Sequence, residues 1–172
     1  MGNGVERILS RVAAIIRGMT RPLLFSPLTS ALPSCELCQH AGGRLVWADE
    51  DWRVIGVDDA AFPAFYRVVS NLHVAEFSDL PELQRQRCMQ LVAAVEHVLR
   101  DRLQPTKINL AALGNMVPHL HWHVIARFDW DSHFPQPIWG GRQREVQPTP
   151  VNRLPCHLTD LDAAVAAALN AP

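Results

Sequence analysis

Apolar and polar positions recur with two periods along the chain, and each change of period marks an element. In "VERILSRVAAIIRGM" (residues 5–19), Val5, Ile8, Leu9, Val12, Ile15 and Ile16 fall at helical spacing with Arg7, Arg11 and Arg17 between them. The pattern predicts an amphipathic helix with a basic polar side. Pro22, Pro27 and Pro33 then interrupt residues 21–34, which read as a linker. "RLVWA" and "WRVIGVD" flank the acidic turn "DED" and read as a hairpin, with "FYRVVSNLHV" as a third strand. The longest helical pattern is "SDLPELQRQRCMQLVAAVEHVLRDRL", with Leu83, Cys88, Leu91, Val92, Val95 and Leu99 on one face. Ser78 or Asp79 can cap it, and Pro81 suits its first turn. "KINLAAL" and "LHWHVIARF" give two more strands around the turn "GNMVP". "FPQPIWGGRQREVQPTP" is irregular, and "LTDLDAAVAAALNA" closes as a short Ala-rich helix.

Strands, one long helix, then strands again predict an α+β domain. The expected architecture is an antiparallel sheet of about five strands with the long helix packed on it, plus N- and C-terminal helices. The boundaries read as an N-terminal helix and linker over 1–34, a central domain over 35–143 and a C-terminal tail over 144–172.

Composition narrows the function. The 172 residues suit one domain with a full core, with 48% hydrophobic and 19% charged residues. A formal net charge of −1, with Lys107 the only lysine, carries no electrostatic footprint for long nucleic acid. The N-terminal apolar stretch is too short and too interrupted by arginine to span a bilayer. Four cysteines (Cys35, Cys38, Cys88 and Cys156) make no disulfide scaffold, and no cleavable secretory signal is visible, so a reducing cytoplasmic setting is expected. There, Cys35-x-x-Cys38 reads as a metal knuckle or a redox pair, whereas Cys88 belongs to the apolar helix face. Neither G-x-G-x-x-G after a strand nor G-x-x-x-x-G-K-[ST] occurs.

The densest chemistry lies in "PHLHWHVIAR" (residues 118–127). On a strand over 119–125, alternation puts His119, His121, His123 and Ile125 on one face and Leu120, Trp122 and Val124 on the other. Three imidazoles on one face suit a catalytic metal. They equally suit phosphoryl transfer, in which a neutral imidazole attacks and others contact phosphate and leaving group. The residues alone leave both readings open.

"HLHWHVI" resembles the His-φ-His-φ-His-φ-φ signature of the histidine triad (HIT) superfamily of nucleotide hydrolases and transferases. "RVIGVDDAAFPAFYRVVSNLHVAEFSDLPE" and "KINLAALGNMVPHLHWH" are similar to the segments that precede the triad in that family. The combination most resembles bacterial HIT-domain proteins of the diadenosine polyphosphate hydrolase type, over about residues 35–140.

The resemblance implies a HIT-like fold and cleavage of a phosphoanhydride or phosphoramidate at the α-phosphate, through a nucleotidyl-histidine. His121 would be the nucleophile and His123 the phosphate and leaving-group contact, with His119 completing the triad. Asp58 would accept from ribose hydroxyls, and Asn109 and Asn115 would hold phosphate oxygens. Where the family usually has Gln and then a small hydroxyl residue, this chain has Asn115 and Met116. In zinc-containing branches the ligand pattern matches Cys35, Cys38, His73 and His119, which implies a structural zinc, with His40 nearby as a substitute. A small nucleotide substrate and a homodimer are also implied. The alternative is a non-catalytic nucleotide-binding or regulatory HIT protein with a structural zinc. His133 is placed to approach the substrate, and Trp139 reads as an apolar lid or dimer contact before a base-stacking surface.

Overall fold

In a computed structural model of the protein, residues 31–171 are described; the N-terminal helix expected over 5–19 and most of the linker lie outside them. Three helices, α1 (Glu36–Gln39), α2 (Glu82–Leu103) and α3 (Leu158–Leu169), accompany five strands. These are β1 (Arg44–Ala48), β2 (Trp52–Gly56), β3 (Phe65–Ser70), β4 (Lys107–Ala111) and β5 (His121–Arg127). The strands form one antiparallel sheet in the order β1-β2-β3-β5-β4. This is the α+β architecture expected, and β5 lies inside the sheet, paired on both sides.

Alternation along the strands divides the sheet into two faces. Trp52, Val54, Tyr66, Val68, Val124 and Ala126 point toward α2 and α3 and are buried with Cys88, Leu91, Val92, Val95 and Leu99 of α2. The helix meets this core only from Cys88 onward: Leu83, expected on the buried face, is 78% exposed. The helix also starts later than expected, at Glu82 with Pro81 as its N-cap, because Phe77–Asp79 form a separate 3-10 turn. Its end is conventional, with Gln104 in the left-handed region (φ 46°) donating its amide to the Arg100 carbonyl.

The C-terminal tail contributes to the same core. Leu161, Val165 and Leu169 of α3 are buried in it. Asp162 accepts from Tyr66 Oη at 2.7 Å and from Arg44 at 2.6 and 3.0 Å, joining α3 to β3 and β1.

The opposite face carries the chemistry. Arg67 of β3 is the register partner of His123, Val69 that of His121, and Arg53 of β2 that of Val69. Two histidines and, with Arg127 of β5, three arginines therefore share one surface of the sheet.

Candidate functional site

His121 and His123 lie on β5 as expected, but the strand starts at His121, and His119 lies in the bend before it. The reason is local. The His119 amide donates back to the Val117 carbonyl (2.8 Å), which tightens the chain after Pro118. Leu120 then donates to Val74 (2.6 Å) and accepts from the Ser70 amide (3.2 Å). β3 likewise ends at Ser70 rather than running to Val74. There the Ser70 hydroxyl donates to the Leu72 carbonyl (2.8 Å), and the Asn71 side chain donates to the Asp49 and Glu50 carbonyls (3.0 and 3.2 Å). These two bends bring His73 and His119 together, with ring centroids 5.2 Å apart.

His121 and His123 stay adjacent, with ring centroids 4.8 Å apart, and both are buried. His121 Nδ1–H donates to the His119 carbonyl at 2.6 Å. A carbonyl can only accept, so in the neutral ring the proton sits on Nδ1 and Nε2 keeps its lone pair. Burial lowers the His121 pKa, and the charges of Arg67 and Arg53 act in the same direction, against the bond to His119. Burial, His121 and Arg67 push His123 down to about 3. Both rings are therefore neutral at pH 7. They line a cavity of about 600 Å³ with Glu36, Arg67, the 113–117 loop and Trp139. Trp139 packs edge-on against His123, centroids 5.2 Å apart.

The second cluster adjoins the first through His119, whose carbonyl holds His121. One ligand atom from each of Cys35, Cys38, His73 and His119 lies within 4.8 Å of the others. The closest approaches are Cys38 Sγ to His73 Nδ1 (3.2 Å), and His119 Nδ1 to Cys35 Sγ (3.4 Å) and Cys38 Sγ (3.5 Å). Two thiolates and two imidazoles around a tetrahedral zinc lie roughly 3.3–3.8 Å apart, given bonds of about 2.0–2.3 Å. The tautomer of His119 also fits. Its Nε2–H donates to the Ser70 carbonyl (2.8 Å), leaving the Nδ1 lone pair aimed at the sulfurs, and burial holds its pKa down at about 4. The four residues form a metal site whose donor set suits zinc. His40, exposed at the end of α1, is not in the cluster.

Three arginines that the sequence patterns did not single out organise this face. Arg53, fully buried, donates to the carbonyls of Leu37 (2.6 Å), Ala41 (3.1 Å) and Ser70 (3.1 Å) and to Asn71 Oδ1 (3.0 Å), clamping the Cys35–Cys38 knuckle to the end of β3. Arg127, on the histidine face of β5, grips Asp131 with two bonds (2.8 and 2.9 Å), Asn109 Oδ1 (2.7 Å) and the Gln136 carbonyl (2.8 Å). Arg67 lines the cavity. A lone cation inside an apolar strand run, as in "WRVIG", "FYRVV" and "HVIAR", was the available signal.

The remaining candidates fall in different places. Asn115 lines the cavity. Asn109 Oδ1 is engaged by Arg127, and Asp58 is exposed in the loop after β2; neither is among the cavity-lining residues described. His133 packs against Phe62 with centroids 5.2 Å apart and bonds to Ser132. Cys88 is fully buried in the core, where burial pushes its thiol up to about 12.

The Arg127–Asp131 pair has a measurable consequence. Burial alone would raise the Asp131 carboxyl pKa, but the Arg127 guanidinium and the His133 and Phe128 amides outweigh it and hold it below the usual carboxylate range. The pair is 1% and 2% exposed, so Asp131→Ala strands a buried guanidinium. That substitution is expected to cost about 3–5 kcal/mol in denaturant unfolding. A cost below about 1 kcal/mol would show that water reaches the pair.

Residues 40–130 match the family model of the HIT domain. Among solved structures, the chain is similar to a histidine triad protein of Sinorhizobium meliloti (25% identity, 84% of this chain and 97% of that one, TM-score 0.60). It is also similar to histidine triad proteins of Marinobacter aquaeolei (28%, 75% and 90%, TM-score 0.59) and Bradyrhizobium japonicum (28%, 75% and 89%, TM-score 0.57). A comparison with curated protein sequences gave no match. Among the described residues, no helix is long and apolar enough to cross a membrane. The matched residues begin just after the metal knuckle and take in all five strands, more than half of the chain, and the protein belongs to the histidine triad, or HIT, family.

Proposed function

We propose that the protein is a nucleotide hydrolase or transferase that cleaves a phosphoanhydride or phosphoramidate at the α-phosphate, with diadenosine polyphosphates as the expected substrate type. The observation that carries this reading is the orientation of His121. A backbone carbonyl holds its Nδ1 proton, so the free Nε2 lone pair belongs to a neutral ring at the cavity wall. Such a group is a nucleophile at pH 7. Its attack forms a P–N bond while the leaving group departs with the P–O or P–N bond pair. Water then attacks the same phosphorus and the bond pair returns to Nε2. His123 contacts the phosphate and assists departure, and Asn115 with the 114–116 backbone holds phosphate oxygens. Asp58 accepts from the ribose, and Asn109, whose Oδ1 is held by Arg127, offers its side-chain amide to a phosphate oxygen. Zinc at Cys35, Cys38, His73 and His119 would cross-link the knuckle to the triad segment. Residues 35–143 carry the reaction, in a cytoplasmic homodimer whose mass light scattering can read.

The test is incubation with diadenosine tetraphosphate, an adenosine phosphoramidate and a nucleotide sugar, followed by acid-sensitive trapping of nucleotidylated protein. Turnover of at least one substrate with a trapped adduct is expected. Turnover of none with no adduct overturns the reading in favour of a nucleotide-binding protein without catalysis.

The pH profile is a separate check. A histidine whose pKa is lowered stays neutral as the pH falls, so its nucleophilic form persists below 6.5. The acid limb of kcat/KM is therefore expected to lie below the 6.5 of an unperturbed imidazole. An acid limb centred at 6.5 would contradict the burial argument.

A further inference from the structure

Of the three arginines on the histidine face, two are saturated by the protein and one is not. Arg53 and Arg127 spend their donors on carbonyls, Asn71, Asn109 and Asp131. Arg67 Nε is buried and has no hydrogen-bond partner, and no ion pair joins Arg67 to a carboxylate among the described residues. A buried charged donor without a partner carries a desolvation cost that an anion would remove. Its location is specific. As the register partner of His123 it shares the sheet face with the imidazoles, Cβ atoms of such pairs being about 4.5–5.5 Å apart. It is half-buried and lines the same cavity as residues 113–117.

We propose that Arg67 is the anion-recognition residue of the cavity, binding a phosphate of the leaving group and so selecting anhydrides over substrates whose leaving group is uncharged. The inference rests on the proposed function and adds the substrate class. When the His121 lone pair attacks the α-phosphorus, the P–O bond pair moves onto the bridging oxygen and the leaving phosphate gains one negative charge. A guanidinium offers that group two parallel N–H donors and fixed charge, without donating a proton. Glu36 is the other charged residue lining the cavity; it is exposed on α1, and its charge favours the cationic form of Arg67 against burial. Burial is the main cause that lowers the pKa of His121 and His123, and the charge of Arg67 acts in the same direction. Arg67 also lies over the Phe65 ring, 5.4 Å from its centroid, so a purely structural role must be separated from a binding one.

The experiment measures kcat/KM on diadenosine tetraphosphate and on an adenosine phosphoramidate, with calorimetric affinities for ATP and AMP. Wild type, Arg67→Leu and Arg67→Lys are compared. Arg67→Leu is expected to lose about 10–100-fold on the tetraphosphate and in ATP affinity, and less than about 3-fold on the phosphoramidate and in AMP affinity. Arg67→Lys, which keeps the charge without the fork, is expected to fall between. Equal loss on both substrates, or no loss on either, overturns the role of Arg67 and leaves the proposed function standing. If the wild type turns over neither substrate, but ATP still binds through Arg67, the anion site survives and the enzymatic reading falls. If neither nucleotide binds, both fall.

Discussion

Alanine in place of His121 is expected to reduce turnover by at least about a thousandfold and to abolish the trapped nucleotidyl adduct. No neighbouring group can replace it. His119 commits both nitrogens, one to the Ser70 carbonyl and one to the sulfur cluster, and His123 has its Nδ1 buried without a partner. His123 also lacks the backbone acceptor that sets the tautomer of His121. The fold has little to lose, because the His121 ring lines a cavity and the β3–β5 pairing continues through its backbone. Unfolding free energy is expected to change by no more than about 1–3 kcal/mol, the loss of one buried hydrogen bond. Metal content should be unchanged. More than a tenth of wild-type kcat/KM surviving in His121→Ala would remove it from the nucleophile role.

Cys38→Ala is the second large effect, and its readout is physical rather than kinetic. Cys38 Sγ approaches both imidazoles of the cluster, at 3.2 Å from His73 and 3.5 Å from His119. Metal content is expected to fall from about one zinc per chain to near zero. A structural metal contributes folding free energy directly, so the melting temperature should fall with it. A loss of about 3 kcal/mol corresponds to roughly 6–12 °C for a chain of this size. Treating the wild type with a chelator should give the same shift, and adding zinc back should reverse it. An unchanged melting temperature in both would mean that Arg53 and the backbone bonds hold the knuckle without a cross-link. A fall in activity is expected to follow, because the carbonyl that orients His121 belongs to His119.

What the residues disclosed in advance depended on periodicity. The alternation of "HLHWH" against apolar neighbours placed His121 and His123 on one face and Trp122 and Val124 toward the core, where they lie. The four-residue metal cluster was reached by resemblance, since nothing local connects Cys35 to His119, 84 positions later. Strand ends were less legible. The extension of β3 to Val74 and of β5 back to His119 fit the hydrophobic pattern, but the Ser70 and Asn71 side chains and the turn at Val117 end the pairing. Leu83 fit the helix period and still emerged exposed, because a period does not say where the surface beneath a helix stops. Arg53, Arg67 and Arg127 were overlooked because a cation on a strand reads as solvent-facing until the face it shares is known.

The packing of α3 bears on how the family segment is to be understood. The matched span ends at residue 130, yet Leu161, Val165 and Leu169 complete the core above α2 and β1, and Asp162 supplies the acceptor of Tyr66. A chain cut after residue 143 would open that layer to water and leave a buried phenol without its partner. The recognisable unit is therefore shorter than the packed core, and a chain that stops after residue 143 is expected to aggregate when expressed alone.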